Sequence, residues 1–320
     1  MGTETNKKRA VFFRLINRCL LALAFLSGLP FQSVLADESI NIAVLYPESN
    51  PAYTRLYQTI IDGMHNSGSA TVNQYQFSKQ PDIREINNWL YEKQAQAVIV
   101  LGKAGIQLSL ELELDIPVIT GAHILAYKNR SGVSLAADPV QMFRKLKQLG
   151  PKVRRVFVIH SEKNTGWLIN QAALAARKQG LQLESLKIEN MQDLRLAIES
   201  ILAKLQKGSD AIWLPLDPAV PTRLVLPKLL TVAWQKELII FGNNPIDVKK
   251  GILFAMYPDY TSMGKQLLAM ARSRISKTSK AQPEASVYLK TAVNNRTASH
   301  LGITLNLHLL EQINLLYPRR

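Results

Sequence analysis

The stretch 251-GILFAMYPDYTSMGKQLLAMA-271 decides how this chain is read. Its first half is a short apolar run without polar alternation, the pattern of a strand buried on both faces. Tyr257-Pro258-Asp259-Tyr260 is a turn flanked by aromatic rings, and a helix follows. In an open α/β sheet the edge where a strand hands over to a helix is where ligands bind. The segment is therefore a pocket wall, an ordinary turn with an N-cap, or both. Tyr257, at the strand end, is the candidate wall residue; Asp259 reads as a cap or turn residue and Tyr260 as packing.

Working outward, the same unit recurs. Apolar runs at 40-INIAVLY-46, 97-AVIVLG-102, 116-IPVITG-121, 153-VRRVFVIH-160, 211-AIWLPL-216 and 237-ELIIFG-242 read as strands of parallel sheets. Helical patterns separate them. In 138-DPVQMFRKLKQLGP-151, Asp138 is placed as N-cap, Pro139 opens the helix and Gly150-Pro151 closes it. Segments 165–180 and 194–208 keep helical spacing and end on a basic residue plus glycine. This alternation predicts an α/β fold with right-handed crossovers. At 320 residues two lobes are expected rather than one core.

Three segments break the rhythm: 122–139, 242-GNNP-245 and the basic, proline-containing 276–286. Three crossings imply two intertwined Rossmann-like lobes with a hinge and a cleft. The expected division is residues 37–122 plus 245–283 for lobe 1 and residues 123–244 plus 284–320 for lobe 2.

The N-terminus has the form of an export signal. Lys7, Lys8 and Arg9 precede the apolar 19-CLLALAFLSGLPF-31, and Val34 and Ala36 supply small residues for cleavage after Ala36. The apolar run is shorter than the roughly 20 residues a bilayer span needs. Cleavage of residues 1–36 would remove the single cysteine and leave 34 basic against 23 acidic residues, formally +11. The expected location is periplasmic. The basic residues are scattered, so solvated faces or attraction to anionic envelope surfaces explain them better than nucleic acid.

Catalytic signatures are missing from the sequence: no G-x-S-x-G, H-E-x-x-H or G-x-x-x-x-G-K-[ST] occurs. The expectation is a non-enzymatic protein without cofactor or metal, since the five histidines show no ligand spacing. What the sequence does supply is a set of polar residues at predicted strand ends: Tyr46 and Glu48, Gly102 and Lys103, His123, His160 with Asn164 and Thr165, Asp217, Asn243 and Tyr257. Helix starts after 102-GKAG-105 and 160-HSEKNT-165 offer amides to an anionic group, although two glycines also suit a plain strand-to-helix turn. Asp217, in 214-LPLDP-218, is either the partner of a ligand ammonium or a turn residue before Pro218. His123 and His160 either face a cleft or pack. Tyr46, Tyr53 and Tyr257 are suited to flank an apolar side chain.

The succession 153-VRRVFVIHSEKN-164, 171-QAALAARKQGLQL-183, 210-DAIWLPLDPAV-220 and 251–271, closing on 291-TAVNNRTASHLGITLNLHLLEQ-312, resembles the ABC-transporter substrate-binding protein family that includes tryptophan- and tyrosine-binding members. Segment 50-NPAYTRLYQTIIDGM-64 is similar to that family's first helix. The resemblance implies a type I periplasmic-binding fold, with a small-molecule ligand trapped by closure of two lobes and no catalysis. It implies that Asp217 meets a ligand amino group and that Tyr257 takes the place of a turn tyrosine. Pro258 and Leu216 depart from the family's usual glycine and small hydroxyl residue. The expected partners are a small polar organic ligand, possibly an amino acid, and an ABC permease; a sensor or interaction module on the same fold, working with an envelope receptor, is the alternative. A monomer is expected.

Overall fold

The computed structural model describes residues 40–68, 70–112, 114–124 and 131–318; the expected leader, residues 1–36, lies outside them. In chain order the first elements are β1 (Ile40–Pro47), α1 (Pro51–His65), β2 (Ala70–Phe77), α2 (Ile83–Glu92), β3 (Ala97–Leu101), α3 (Gly102–Glu111), β4 (Val118–His123) and β5 (Ser131–Ala137). Next come α4 (Pro139–Leu149), β6 (Arg155–His160), α5 (Glu162–Lys178), β7 (Gln182–Lys187), α6 (Met191–Lys204), β8 (Asp210–Leu214), α7 (Thr222–Lys236), β9 (Ile239–Gly242), α8 (Pro245–Lys250) and β10 (Phe254–Pro258). The chain finishes with α9 (Tyr260–Ile275), β11 (Pro283–Ser286), β12 (Leu289–Asn294), α10 (Asn295–His300), α11 (Leu307–Glu311) and β13 (Leu315–Tyr317).

The strands form two sheets, in the orders β11-β5-β4-β3-β1-β2 and β13-β12-β10-β9-β8-β6-β7. The described pairings of the first are parallel. The second contains one antiparallel pair, β10 with β12, so the expectation of parallel sheets holds except there. Central strands are apolar throughout because each side of the sheet is a core. In β1, Ile42 and Val44 face Ile60, Met64 and Leu267, while Ala43 and Leu45 face Ile86, Leu90 and Ile106. In the second sheet Val156, Val158, Trp213 and Phe241 pack on Phe143 and Leu168, and Phe157, Ile212 and Ile240 pack on the other side with Ile201 and Leu229. Successive residues thus alternate between two buried faces.

The chain passes between sheets three times: at the end of the expected segment 122–139, well beyond 242–245, and just after 276–286. β5 lies in the first sheet, so the first passage is at Asp138, the N-cap of α4. β10 lies in the second sheet, and the return comes at Asp259, which caps α9 by accepting the Thr261 N–H at 3.2 Å. The third passage, Val287-Tyr288, joins β11 of the first sheet to β12 of the second. The reason lies in the pairing: 242-GNNP-245 opens the short helix α8, and the chain returns beside β9 as β10 before it leaves.

The opening stretch is therefore the hinge itself, with its strand in one lobe and its helix in the other. α9 is clamped to α1 by glycines: a Cβ at Gly63 would lie 1.9 Å from the Thr261 carbonyl oxygen, and one at Gly264 2.0 Å from that of Ile60. Such proximity fits only residues without side chains. The three passages are laced together. Asp138 N–H donates to Ser286 O (3.0 Å), Asp259 N–H to Tyr288 O (2.9 Å), and Ser286 Oγ to Ser134 O (2.9 Å). Lys290 Nζ stands 3.5 Å from Asp259 Oδ2.

Candidate functional site

All eleven candidate residues are at or just beyond the carboxyl ends of strands, seven around β1, β3, β4, β9 and β10 and four around β6 and β8. The second sheet brings four together. β6 ends at His160, Ser161 caps α5, and the loop after β8 carries Asp217 against them. Asp217 is 5% exposed and accepts four hydrogen bonds. Oδ2 takes Ser161 N–H (2.7 Å) and Thr165 Oγ1–H (2.6 Å); Oδ1 takes Asn164 Nδ2–H (2.9 Å) and Ala219 N–H (2.9 Å).

The Ala219 bond is that of an Asx turn, so Asp217 does form the turn before Pro218. It also ties two loops into one unit. No described ion pair involves it, so its charge is held by neutral donors alone. Those donors prepare the carboxylate and limit how many more it can accept. They also occupy the amide that sequence reasoning offered to an anion: Ser161 N–H is spent on Asp217, and Asn164 and Thr165 N–H donate to Ser161 O.

Asn243 follows β9 on the same edge and is 3% exposed. Its Nδ2 donates to Met256 O at 3.3 Å. Among the described residues, Asn243 Oδ1 and His160 Nδ1 are buried without a hydrogen-bond partner. Burial holds the His160 imidazole below its ordinary pKa, partly opposed by the charges of Glu162 and Asp217.

The first sheet's edge is built differently. Tyr46, at the end of β1, accepts a bond from Gln58 Nε2 (2.8 Å), and its ring centre is 6.2 Å from that of Tyr57. Tyr57 in turn neighbours Tyr53 at 6.4 Å. Burial, then the nearby Tyr53, raises the Tyr57 pKa. Gly102, the first residue of α3, has φ +73°, and a Cβ there would come 2.4 Å from the Tyr57 hydroxyl. Its role here is to let the ring approach the backbone. Lys103 is exposed, and its charge adds to the burial that lowers the His123 pKa. Glu48 is exposed; its backbone N–H donates to Phe77 O at 2.8 Å.

A cavity of about 270 Å³ lies on the second-sheet edge, walled by Leu214, Leu216, Asp217, Val220 and Asn244, with Ile124 from beyond β4 its one lining residue from the first sheet. Tyr257 is half-buried at the end of β10, its pKa raised by burial and then by Tyr317 and Tyr260. Tyr260 packs on the first-sheet core. Sequence reasoning missed Ser161 and Tyr57 as members of these edges. Tyr57 had a usable signal, since Tyr53 and Tyr57 stand four apart on the helix after β1. Ser161 acts through its backbone, which leaves no trace in residue type. Among the described residues, no group of three or more His, Cys, Asp or Glu is placed to hold a metal ion, and no helix is long and apolar enough to cross a membrane.

Comparison with known proteins places this architecture. Residues 41–314 match the profile of a family described as ABC transporter substrate binding protein. Among solved structures, a Streptococcus pneumonia ABC domain in complex with L-Trp aligns at 20% identity and TM-score 0.52, covering 87% of this chain and 99% of that one. The ligand-free, open form of a substrate binding protein with adhesive properties from Clostridium difficile aligns at 16% identity and TM-score 0.58, covering 87% and 99%. A conserved domain protein from Vibrio cholerae gives 18% and 0.52, covering 87% and 100%. No curated protein matches the chain by sequence. At these identities the solved structures establish the fold, that of type I periplasmic-binding proteins.

Proposed function

The chain belongs to the ABC transporter substrate binding protein family, and from that premise we propose that it is an exported solute-binding protein that captures a small polar organic ligand between its lobes for an ABC importer. The ligand class we favour is an amino acid with an apolar or aromatic side chain. One observation carries this reading: a prepared, buried carboxylate, Asp217, lines a cavity to which both sheets contribute, Ile124 from beyond β4 and the loop after β8 from the second. Asp217 is the group for the ammonium, and Tyr257 and Tyr46 flank the side chain. Asn243 Oδ1 is a further acceptor awaiting a donor. The hinge at Asp138, Asp259 and Val287-Tyr288 allows closure to complete these contacts and exclude water. The resemblance of the fold to a structure holding L-Trp agrees with the ligand class.

The test is a thermal-shift screen of residues 37–320 against amino acids, nucleosides and small carboxylates, followed by calorimetry on hits. A ligand at 100 times its Kd stabilises the fold by roughly 2.7 kcal/mol, and an amino acid is expected to do so. Tyr257→Ala should weaken it about tenfold, or roughly 1.4 kcal/mol. An amino acid bound equally well by that variant would remove Tyr257 from the site. No shift with any small molecule would replace transport with an interaction module acting through an envelope receptor.

A further inference from the structure

A second concavity lies away from the interlobe cavity. A groove of about 760 Å³ lies at the other end of the second lobe, bounded by the C-terminal ends of α7 and α8 and by the ends of β12 and β13. α7 spans the lobe: Thr222, at its start, lines the interlobe cavity, and Trp234 lines the groove. At 1.5 Å rise per residue those positions are about 18 Å apart. The groove is a separate feature.

Its walls carry three cations, Lys249, Lys250 and Arg296, and no described Asp or Glu. Lys250 is paired with Asp247 at 3.1 Å. Among the described residues, Lys249 and Arg296 make no ion pair. Two cations converging on one concavity without an acidic partner repel each other and raise the local potential. The last turn of α8 explains a lysine at 249 by its dipole, but not an arginine at 296, in the first turn of α10, where a cation is disfavoured. Beside the charges stand two rings. Trp234 is 52% exposed, and one face is stacked on His300 at 3.5 Å and 5°. His300 Nε2 also meets Trp234 O at 2.9 Å, which fixes the pair. Tyr317 forms the opposite lip.

We propose that this groove binds an organic phosphate, with the phosphate between Lys249 and Arg296 and the attached body against Trp234 and Tyr317. Two unpaired cations match the roughly two negative charges of a phosphate monoester better than the single charge of a carboxylate. A planar guanidinium binds such a group through paired hydrogen bonds. A flat or ring-bearing body gains from the aromatic faces. The same chemistry is offered by a free phosphate monoester and by the monoester headgroup of phosphatidic acid.

Two arms separate these sources. The purified protein is titrated with adenosine monophosphate by tryptophan fluorescence, and in parallel sedimented with vesicles containing phosphatidic acid or of phosphatidylcholine alone. Each is repeated with the double variant Lys249→Glu and Arg296→Glu, whose exposed positions should leave its melting temperature unchanged. Adenosine monophosphate binding that falls at least tenfold in the variant supports the site with a free ligand. Binding to phosphatidic acid vesicles alone, lost in the variant, supports it with a lipid headgroup. Absence of both, or binding unaffected by the double reversal, overturns it.

Discussion

The carboxyl edges of the two sheets achieve order by opposite means. On the second sheet, a single carboxylate gathers donors from two loops, and Asp217 holds Ser161, Asn164, Thr165 and Ala219 by directional bonds. On the first, order comes from ring packing: Tyr46, Tyr53 and Tyr57 lie against one another, and a glycine admits the Tyr57 hydroxyl to the backbone. A directional network fixes positions of charge, whereas packed rings fix a shape. A binding protein that closes on its ligand needs one of each, a prepared polar edge and a complementary wall.

The largest effect should come from breaking the polar edge. Asp217→Ala removes one acceptor from four donors, two of them backbone amides. Each buried donor left without a partner costs about 1–3 kcal/mol, less where water enters the space. A loss of roughly 3–5 kcal/mol is expected in chemical denaturation. Thr165→Val, which removes one donor and keeps the shape, should cost only about 1–2 kcal/mol. Equal losses in the two variants would mean that the carboxylate is not the organising centre.

Breaking the packed edge should cost less. Gly102→Ala places a Cβ 2.4 Å from the Tyr57 hydroxyl on a backbone with φ +73°. The left-handed conformation alone costs about 1–2 kcal/mol, and the ring must move in addition. Gly208→Ala is the control: its φ is +71°, but nothing lies within 4 Å of the added carbon. The difference between the two variants' melting temperatures isolates the contact with Tyr57. If they match, the ring wall yields freely and is no fixed shape.

The same contrast explains what could be read from sequence. Strands buried on both faces announce themselves as apolar runs, so β1, β3, β4, β6, β8, β9 and β10 were legible. β2 and β7 lie at sheet edges, half-exposed, and their sequences ATVNQYQF and QLESLK carry too many polar residues to stand out. β5 and β11 are short pairs at the hinge, where SGVSLAA and PEAS look like loop. The lobe boundaries depended on those strands, and on whether 252–257 pairs before or after a crossing. That is settled by β10 lying between β9 and β12, a long-range fact with no local signature. The site was legible as residue types at strand ends. That Asp217 would be surrounded by its own lobe's donors depended on two loops separated by more than 50 residues.

The smallest effect is a pH dependence, and it compares the edges through one histidine each. Burial holds both His123 and His160 below the ordinary pKa; the charge of Lys103 pushes the first further down, and Glu162 and Asp217 partly restore the second. A histidine depressed in the folded state binds fewer protons there than in the unfolded chain, so stability rises with pH across its titration. The contribution is full above the unfolded value near 6.5 and is lost as pH falls from there towards the depressed folded value. Melting temperature should therefore fall between pH 7 and pH 5.5. His160→Asn should reduce that fall, and Lys103→Ala should reduce it by relieving His123. A His160 variant whose melting temperature tracked the parent at every pH would show that its protonation is not coupled to folding, and the polar edge would then owe its order to Asp217 alone.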